Sequence, residues 1–171
     1  MPRYVALLRG VSPMNAKMPE VKAAFEHAGF TNVKTLLSSG NVAFDARSST
    51  ESALERKAEK AMQEVLGRSF YTIVRSSQHL NAMLAGDPYA DHGVPPEAKR
   101  VVSFLRDTPQ PKSTLPVNMS GAQIVCVQGK EVFSAYVPSA DGPVFMRLIE
   151  KTFGSEITTR TWDTVRKCAA A

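Results

Sequence analysis

Apolar and polar positions change their period several times along the chain, and each change marks an element. Tyr4-Val5-Ala6-Leu7-Leu8 is apolar without a helical repeat, which predicts a buried strand closed by Arg9-Gly10. A loop with Pro13 and Asn15 follows. Pro19 suits the first turn of a helix, and Val21, Ala24, Phe25 and Ala28 then recur at helical spacing. Gly29 predicts a left-handed stop, with Phe30 folding back on the last turn. Residues 32–37 and 41–45 read as strands. Ser38-Ser39-Gly40 between them is too short for a crossover, so the two must be antiparallel. Capping boxes at residues 48–51 and 52–55 open a second helix with Leu54, Ala58, Ala61 and Val65 inward, a charged outer face and a stop at Gly67. Residues 70–74 supply a fourth strand. The order β-α-β-β-α-β over residues 3–75 is the ferredoxin-like arrangement.

The pattern continues less regularly. Ser76 or Ser77 caps a short helix with Leu80, Met83 and Leu84 inward, and a proline-rich loop follows. Residues 99–106 read as a strand, 108–116 as a connecting loop, and 123–127 and 131–137 as a hairpin turning at Gln128-Gly129-Lys130. Gly142-Pro143 opens a helix with Phe145, Leu148, Ile149 and Thr152 inward and Gly154 as its stop. A last helix is expected from about Thr159, with Trp162, Val165 and Ala169 on one side. The expected fold is therefore α+β: a ferredoxin-like subdomain over 1–75 and a second, mixed but mainly antiparallel α+β subdomain over 76–171.

Composition narrows the class. A chain of 171 residues, 43% hydrophobic and 22% charged, can bury a core without disulfides, and its two cysteines offer no disulfide framework. No apolar run approaches the length of a membrane span, and Met1-Pro2-Arg3-Tyr4 lacks the apolar core of a secretory signal, so a cytoplasmic protein without membrane attachment is expected. The formal charge is +5 and uneven: +3 over 1–47, −2 over 48–98 and +4 over 99–171. Basic ends suit an anionic ligand, but no Lys/Arg run of the kind found in nucleic-acid arms is present.

Most motifs fail on spacing. His27, His79 and His92 share no ligand spacing with each other or with a cysteine, so neither a metal nor a cofactor is expected. There is no phosphate-binding glycine loop and no nucleophile elbow. Asn118-Met119-Ser120 and Cys168-Ala169-Ala170-Ala171 match glycosylation and prenylation patterns only by chance composition. The topology is also that of the RNA-recognition motif, but the third strand, Asn41-Val42-Ala43-Phe44-Asp45, lacks the basic-glycine-aromatic lead of that motif.

Three clusters offer binding chemistry. Ser38-Ser39-Gly40-Asn41 places hydroxyls and an amide at a hairpin, where turn chemistry alone also explains them. Thr158-Thr159-Arg160-Thr161-Trp162 is expected at a helix start, with a threonine as cap. A cation there opposes the helix dipole and asks for an anionic partner, either a carboxylate of the fold or a ligand. Arg9-Gly10, at the end of the first strand, can clamp an anion or face solvent.

These same residues, with Gly29-Phe30-Thr31-Asn32-Val33, Lys34-Thr35 and Asp163-Thr164-Val165, resemble the bacterial family known as domain of unknown function 1697. The resemblance implies a two-part α+β fold with a ferredoxin-like first part, and implies no established activity. The chain departs from the family where a glycine-rich loop leading to a lysine usually follows Arg9-Gly10. Here that loop, residues 11–17, has no glycine. Thr161 and Asp163 stand where the family has asparagines beside Trp162, and Asp163 could neutralise Arg160.

Three functional readings follow. The first is a non-catalytic binding module in which Arg9, Gly10, Ser39, Asn41, Thr159, Arg160 and Trp162 hold an anionic ligand such as a nucleotide or a nucleic acid. The second is an enzyme acting on a small anionic metabolite, with Asp163 or Asp45 as its titratable group. The third is a structural or protein-partner role. The binding module is favoured, with no cofactor.

Overall fold

The computed structural model describes residues 1–37, 40–90, 93–109, 117–119, 121–137, 144–154 and 156–171, and these form an α+β chain. They group into two units, Met1–Ala82 with Arg166–Ala171, and Met83–Val165. The first grouping ends within the helix that follows residue 76.

The first unit runs β1 (Arg3–Leu8), α1 (Met18–His27), β2 (Thr31–Leu36), β3 (Asn41–Asp45), α2 (Glu51–Leu66) and β4 (Thr72–Ser76). Its sheet has the order β2-β3-β1-β4 with every neighbour antiparallel, which is the ferredoxin-like order. Strand side chains alternate, so Tyr4, Ala6 and Leu8 share a face with Val42, Phe44 and Val74. They pack with Val21, Phe25, Leu54, Ala58 and Met62 from the two helices. The opposite face, with Val5, Leu7, Ala43 and Ile73, is buried as well. An RNA-recognition surface needs aromatics displayed on an open sheet face. Here Tyr4 and Phe44 instead stack on each other inside the core, with ring centroids 5.8 Å apart.

The helix ends follow their local chemistry. α1 closes in a Schellman turn: Gly29, at φ +93°, donates to the carbonyl of Glu26, and Phe30 donates to that of Phe25. α2 opens on Thr50, whose hydroxyl accepts from the N–H of Ala53 at 3.1 Å, and closes on left-handed Gly67. Two expectations for α2 need correction. Val65 is 41% exposed and lies outside the inward stripe. The charged face is not wholly solvated, because Glu55 is buried against β4.

α3 (Ser77–Gly86) follows, with Ser76 Oγ accepting from the N–H of His79. Then come β5 (Lys99–Phe104), β6 (Val117–Met119), β7 (Ala122–Gln128), β8 (Glu131–Tyr136), α4 (Val144–Phe153), β9 (Thr158–Thr161) and α5 (Trp162–Ala170). The second unit's sheet has the order β6-β7-β8-β5-β9 and is antiparallel throughout. Phe145, Leu148 and Ile149 of α4 pack with Val101, Ile124, Val132 and Ile157. β6 is a strand that the apolar pattern does not announce. The expected helix opening at Gly142-Pro143, most of the 108–116 loop, His92 and Ser120 lie outside the described residues.

The largest departure concerns residues 158–161. They are not the start of a helix. They form β9, paired to β5 with Arg160 opposite Val102 and Thr159 opposite Ser103. The helix begins at Trp162, and its capping hydroxyl is that of Thr161, which accepts from the N–H of Thr164 at 3.2 Å. Arg160 is therefore not set against a helix dipole, and the electrostatic argument for an anion beside it falls away.

Candidate functional site

Among the residues expected to bind, Arg9, Gly10 and Asn41 lie in the first unit, Thr159, Arg160 and Trp162 in the second, and Ser39 lies outside the described residues. Arg9 directly follows β1 and is half-buried, its backbone N–H donating to the carbonyl of Tyr71 at 2.8 Å. Gly10, at φ +80°, turns the chain into a loop closed by Asn15. The Asn15 side chain donates to the carbonyl of Gly10 at 2.8 Å and accepts from the N–H of Ser12 at 2.9 Å. That wiring holds the loop without the family's glycines. Asn41 is fully buried, and its amide donates to the carbonyl of Leu36 at 3.0 Å across the hairpin. It closes the turn and is not displayed to a ligand.

In the second unit, Thr159 shares a 2.9 Å hydrogen bond with the hydroxyl of Ser103 on the neighbouring strand. Arg160 is half-buried, and its guanidinium donates to the carbonyl of Thr159 at 2.9 Å. Trp162 meets Tyr89 edge-on at 5.2 Å and Phe133 at 6.3 Å, so most of its ring serves the packing of this unit. Tyr89 is the centre of that cluster. Its hydroxyl donates to the carbonyl of Val101 at 2.6 Å, and burial pushes its ionisation well above the ordinary tyrosine range.

The two carboxylates considered for catalysis differ. Asp45 is held by the amide of Asn32 at 2.6 Å and the guanidinium of Arg3 at 2.9 Å. Both contacts favour the ionised form and hold its carboxyl below the usual carboxylate range. It is therefore ionised at neutral pH and unsuited to donating a proton. Asp163 is exposed in the first turn of α5, where a negative charge suits the helix N-terminus. No group of three metal-ligating side chains forms among the described residues.

A different set of residues shapes a cavity in the first unit. It has a volume of about 570 Å³ and lies where the end of β3 leads into α2, beside the Schellman turn that ends α1. Phe30, Ala46 and Leu54 line it from the core and are buried, while Arg47, Ser48, Ser49 and Lys57 line it from the exposed side. Thr50 caps α2 just behind the two serines, so the positive end of that helix adds to the two cations. The Lys57 ammonium lies 5.5 Å from the centroid of the Phe30 ring. Arg47 makes no ion pair among the described residues.

The sequence reading passed over this set. Arg47-Ser48-Ser49 precedes a capping threonine, which reads as ordinary capping chemistry, and Lys57 belongs to a helix face that looks solvated. A basic residue next to a hydroxyl pair at a helix start was the available signal. Its meaning depends on Phe30, which lies on the far side of the β2–β3 hairpin in sequence, and on Lys57 in the second turn of the helix.

Residues 1–133 match the family described as "Protein of unknown function (DUF1697)". Over almost its whole length the chain is similar in fold to a conserved bacterial protein from Streptococcus pneumoniae. The TM-score is 0.71 and the identity 18%, with 99% of this chain and 97% of that one covered. No curated protein matches the chain.

Proposed function

The chain belongs to the DUF1697 family of proteins of unknown function, and from that premise we propose that it is a binding module for an anionic ligand. The observation that carries the reading is the first unit's cavity, where the exposed residues Arg47 and Lys57 line one side and buried apolar residues line the other. Two cations, two hydroxyls and a helix N-terminus form a coherent receptor for a phosphate or carboxylate group. Their exposure leaves them accessible to a ligand.

The catalytic alternative has less support. Asp45, one of its two candidate carboxylates, is committed to Arg3 and Asn32. The nucleic-acid version would need a wider basic surface than these two side chains, and it predicts affinity falling steeply with salt.

Isothermal titration with inorganic phosphate, acetate and single-stranded oligonucleotides tests the reading. Binding of a small anion should weaken by roughly tenfold in Arg47→Ala and in Lys57→Ala, the size of a charge-assisted contact at an exposed position. Arg9→Ala and Arg160→Ala serve as the comparison. Loss of binding in those variants, with Arg47→Ala unaffected, would move the site to Arg9 and Arg160. No binding of any anion would end the reading.

A further inference from the structure

The end of the first unit's sheet away from the cavity displays apolar side chains to water. β1 ends there, the β2–β3 hairpin turns there and β4 begins there, because the N–H of Leu8 donates to the carbonyl of Gly40 and that of Arg9 to the carbonyl of Tyr71. Three large apolar residues are exposed at this end: Met14 at 94%, Leu37 at 52%, and Val65 in the last turn of α2. Met14 stands in a tight turn of the 11–17 loop, where Ser12 accepts from the N–H groups of Met14, Asn15 and Ala16. Leu37 has φ +59°, a left-handed conformation that is uncommon for a bulky residue and that glycine or asparagine adopts at less cost. The two loops abut, since a Cβ on Gly40 would lie 3.0 Å from Val11 Cβ. Two ordered, neighbouring loops thus hold a methionine and a leucine out in water. Packing does not explain the first, and backbone preference opposes the second.

Exposed apolar patches with polar rims mark contact sites for proteins or membranes. Residues 9–20, 36–41 and 65–71 carry three cations, Arg9, Lys17 and Arg68, and one carboxylate, Glu20. Lys17 and Arg68 are exposed. Apolar tips with a basic rim match the boundary of an anionic bilayer, where the tips enter the acyl region and the cations stay with the headgroups. A protein socket is a poorer match. Binding hot spots on proteins are rich in Trp, Tyr and Arg, and leucine and valine are under-represented there. A second copy related by a two-fold axis would press one basic rim against another.

We infer that this end of the first unit docks on an anionic lipid surface, with Met14 and Leu37 entering the bilayer boundary and Lys17 and Arg68 at its headgroups. Surface contact needs no spanning helix, and none of the described helices is long and apolar enough to be one. The expectation of no membrane attachment rests on spans and signals, and neither is required here. The inference is independent of the anion-binding reading.

The test is flotation of the full chain with vesicles of phosphatidylcholine alone and with vesicles of equal parts phosphatidylcholine and phosphatidylglycerol, across a salt series. The expected result is binding to the mixed vesicles, weakened by salt, and none to the neutral ones. Met14→Ser and Leu37→Asn should each weaken binding roughly tenfold or more, the loss of one buried apolar side chain. Lys17→Ala should weaken it about fivefold. Lys99→Ala, which removes an exposed cation of the second unit, should leave it unchanged. Asparagine suits the left-handed backbone at position 37, so a thermal melt of Leu37→Asn should show a fold at least as stable as the natural one.

Vesicle binding that falls with salt yet is indifferent to Met14→Ser and Leu37→Asn is adsorption by charge alone, and would overturn the inference. Absence of binding to the mixed vesicles would do the same. So would a concentration-dependent dimer in sedimentation velocity that both substitutions abolish, because it assigns the surface to a second copy. Each of these outcomes leaves the cavity reading, tested with Arg47→Ala, where it stands.

Discussion

A side-chain oxygen of Glu55 in α2 accepts a hydrogen bond from the backbone N–H of Val74 in β4 at 2.9 Å. β4 is the outer strand of its sheet, so its outward N–H groups have no neighbouring strand. One helical turn further on, Glu59 accepts from the N–H of Thr72 at 3.3 Å. Two glutamates at i and i+4 on a helix thus match two alternate N–H groups on a strand edge. The edge is closed to other chains by side chains of its own unit, one answer to the hazard of an open strand.

Replacing Glu55 by alanine should leave the Val74 N–H buried without that acceptor, at a cost of about 1–3 kcal/mol. Glu55→Gln keeps an acceptor oxygen and should lose less. Urea denaturation measures both. A Glu55→Ala/Glu59→Ala double variant should also self-associate more readily in light scattering, because it presents an unpaired edge. Equal losses in the alanine and glutamine variants would show that the hydrogen bond is not what the glutamate provides.

Gly40 is expected to tolerate no side chain. Its φ is +86°, and a Cβ would lie 3.0 Å from Leu8 Cβ and from both Val11 Cβ and Val11 Cγ2. Its carbonyl also accepts from the N–H of Leu8 at 2.8 Å, so the backbone has little freedom to retreat. Gly10 is a matched control, with φ +80° and nothing within 4 Å of its Cβ position. Gly10→Ala should cost about 1 kcal/mol for the backbone alone. Gly40→Ala should cost about 1–3 kcal/mol more from overpacking. Similar midpoints for the two variants in denaturant would contradict the steric account.

Asp45 gives the first unit an acid-sensitive tie. Its hydrogen bonds to Asn32 and Arg3 hold its pKa below the unfolded value, so the native state releases this proton more readily than the unfolded chain. The stabilisation is complete above about pH 4, the ordinary aspartate value, and is lost as pH falls through the depressed native one. The same Arg3 guanidinium donates to the carbonyls of Asn32 and Ala171, so protonation of Asp45 loosens one arm of a three-way contact. Asp45→Asn should therefore be less stable than the natural chain at pH 7, and the gap should narrow at pH 3. A gap of constant size at both pH values would mean that charge on Asp45 does not matter.

Much of this architecture was legible because local chemistry and tertiary packing agree. Val21, Ala24 and Phe25 repeat at helical spacing and are buried, and Gly29 stops α1 where its left-handed φ is needed. Residues 158–161 misled because any of their three threonines can cap a helix, which predicts a helix start there. Threonine is also β-branched and suits a strand. Pairing with β5, almost sixty residues away, decides between these uses, and no local pattern reports it. The cavity was hidden for the same reason. Phe30, Arg47 and Lys57 meet only once the turn after α1, the end of β3 and the first turns of α2 are assembled.

Tyr89 lies in a stretch that reads as an irregular, proline-rich loop, yet the residue is 2% exposed. It meets Phe133 edge-on at 5.9 Å and Trp162 at 5.2 Å, Arg100 lies over it at 5.4 Å, and its hydroxyl donates to Val101 at 2.6 Å. Tyr89→Phe should keep the ring contacts and lose about 0.5–1.5 kcal/mol with the hydrogen bond. Burial raises the pKa of this hydroxyl, so the native state keeps a proton that the unfolded chain surrenders near pH ~10. The contribution is fully present below that pH. Above it, stability falls by up to roughly 1.4 kcal/mol per pH unit toward the raised native value. Phenolate absorbance supplies the check. The difference between the natural chain and Tyr89→Phe should show no ionisation near pH ~10 while the protein is folded, and should appear together with loss of circular dichroism. An ordinary titration of Tyr89 in the folded protein would place its hydroxyl in water and remove it from the centre of the second unit's aromatic cluster.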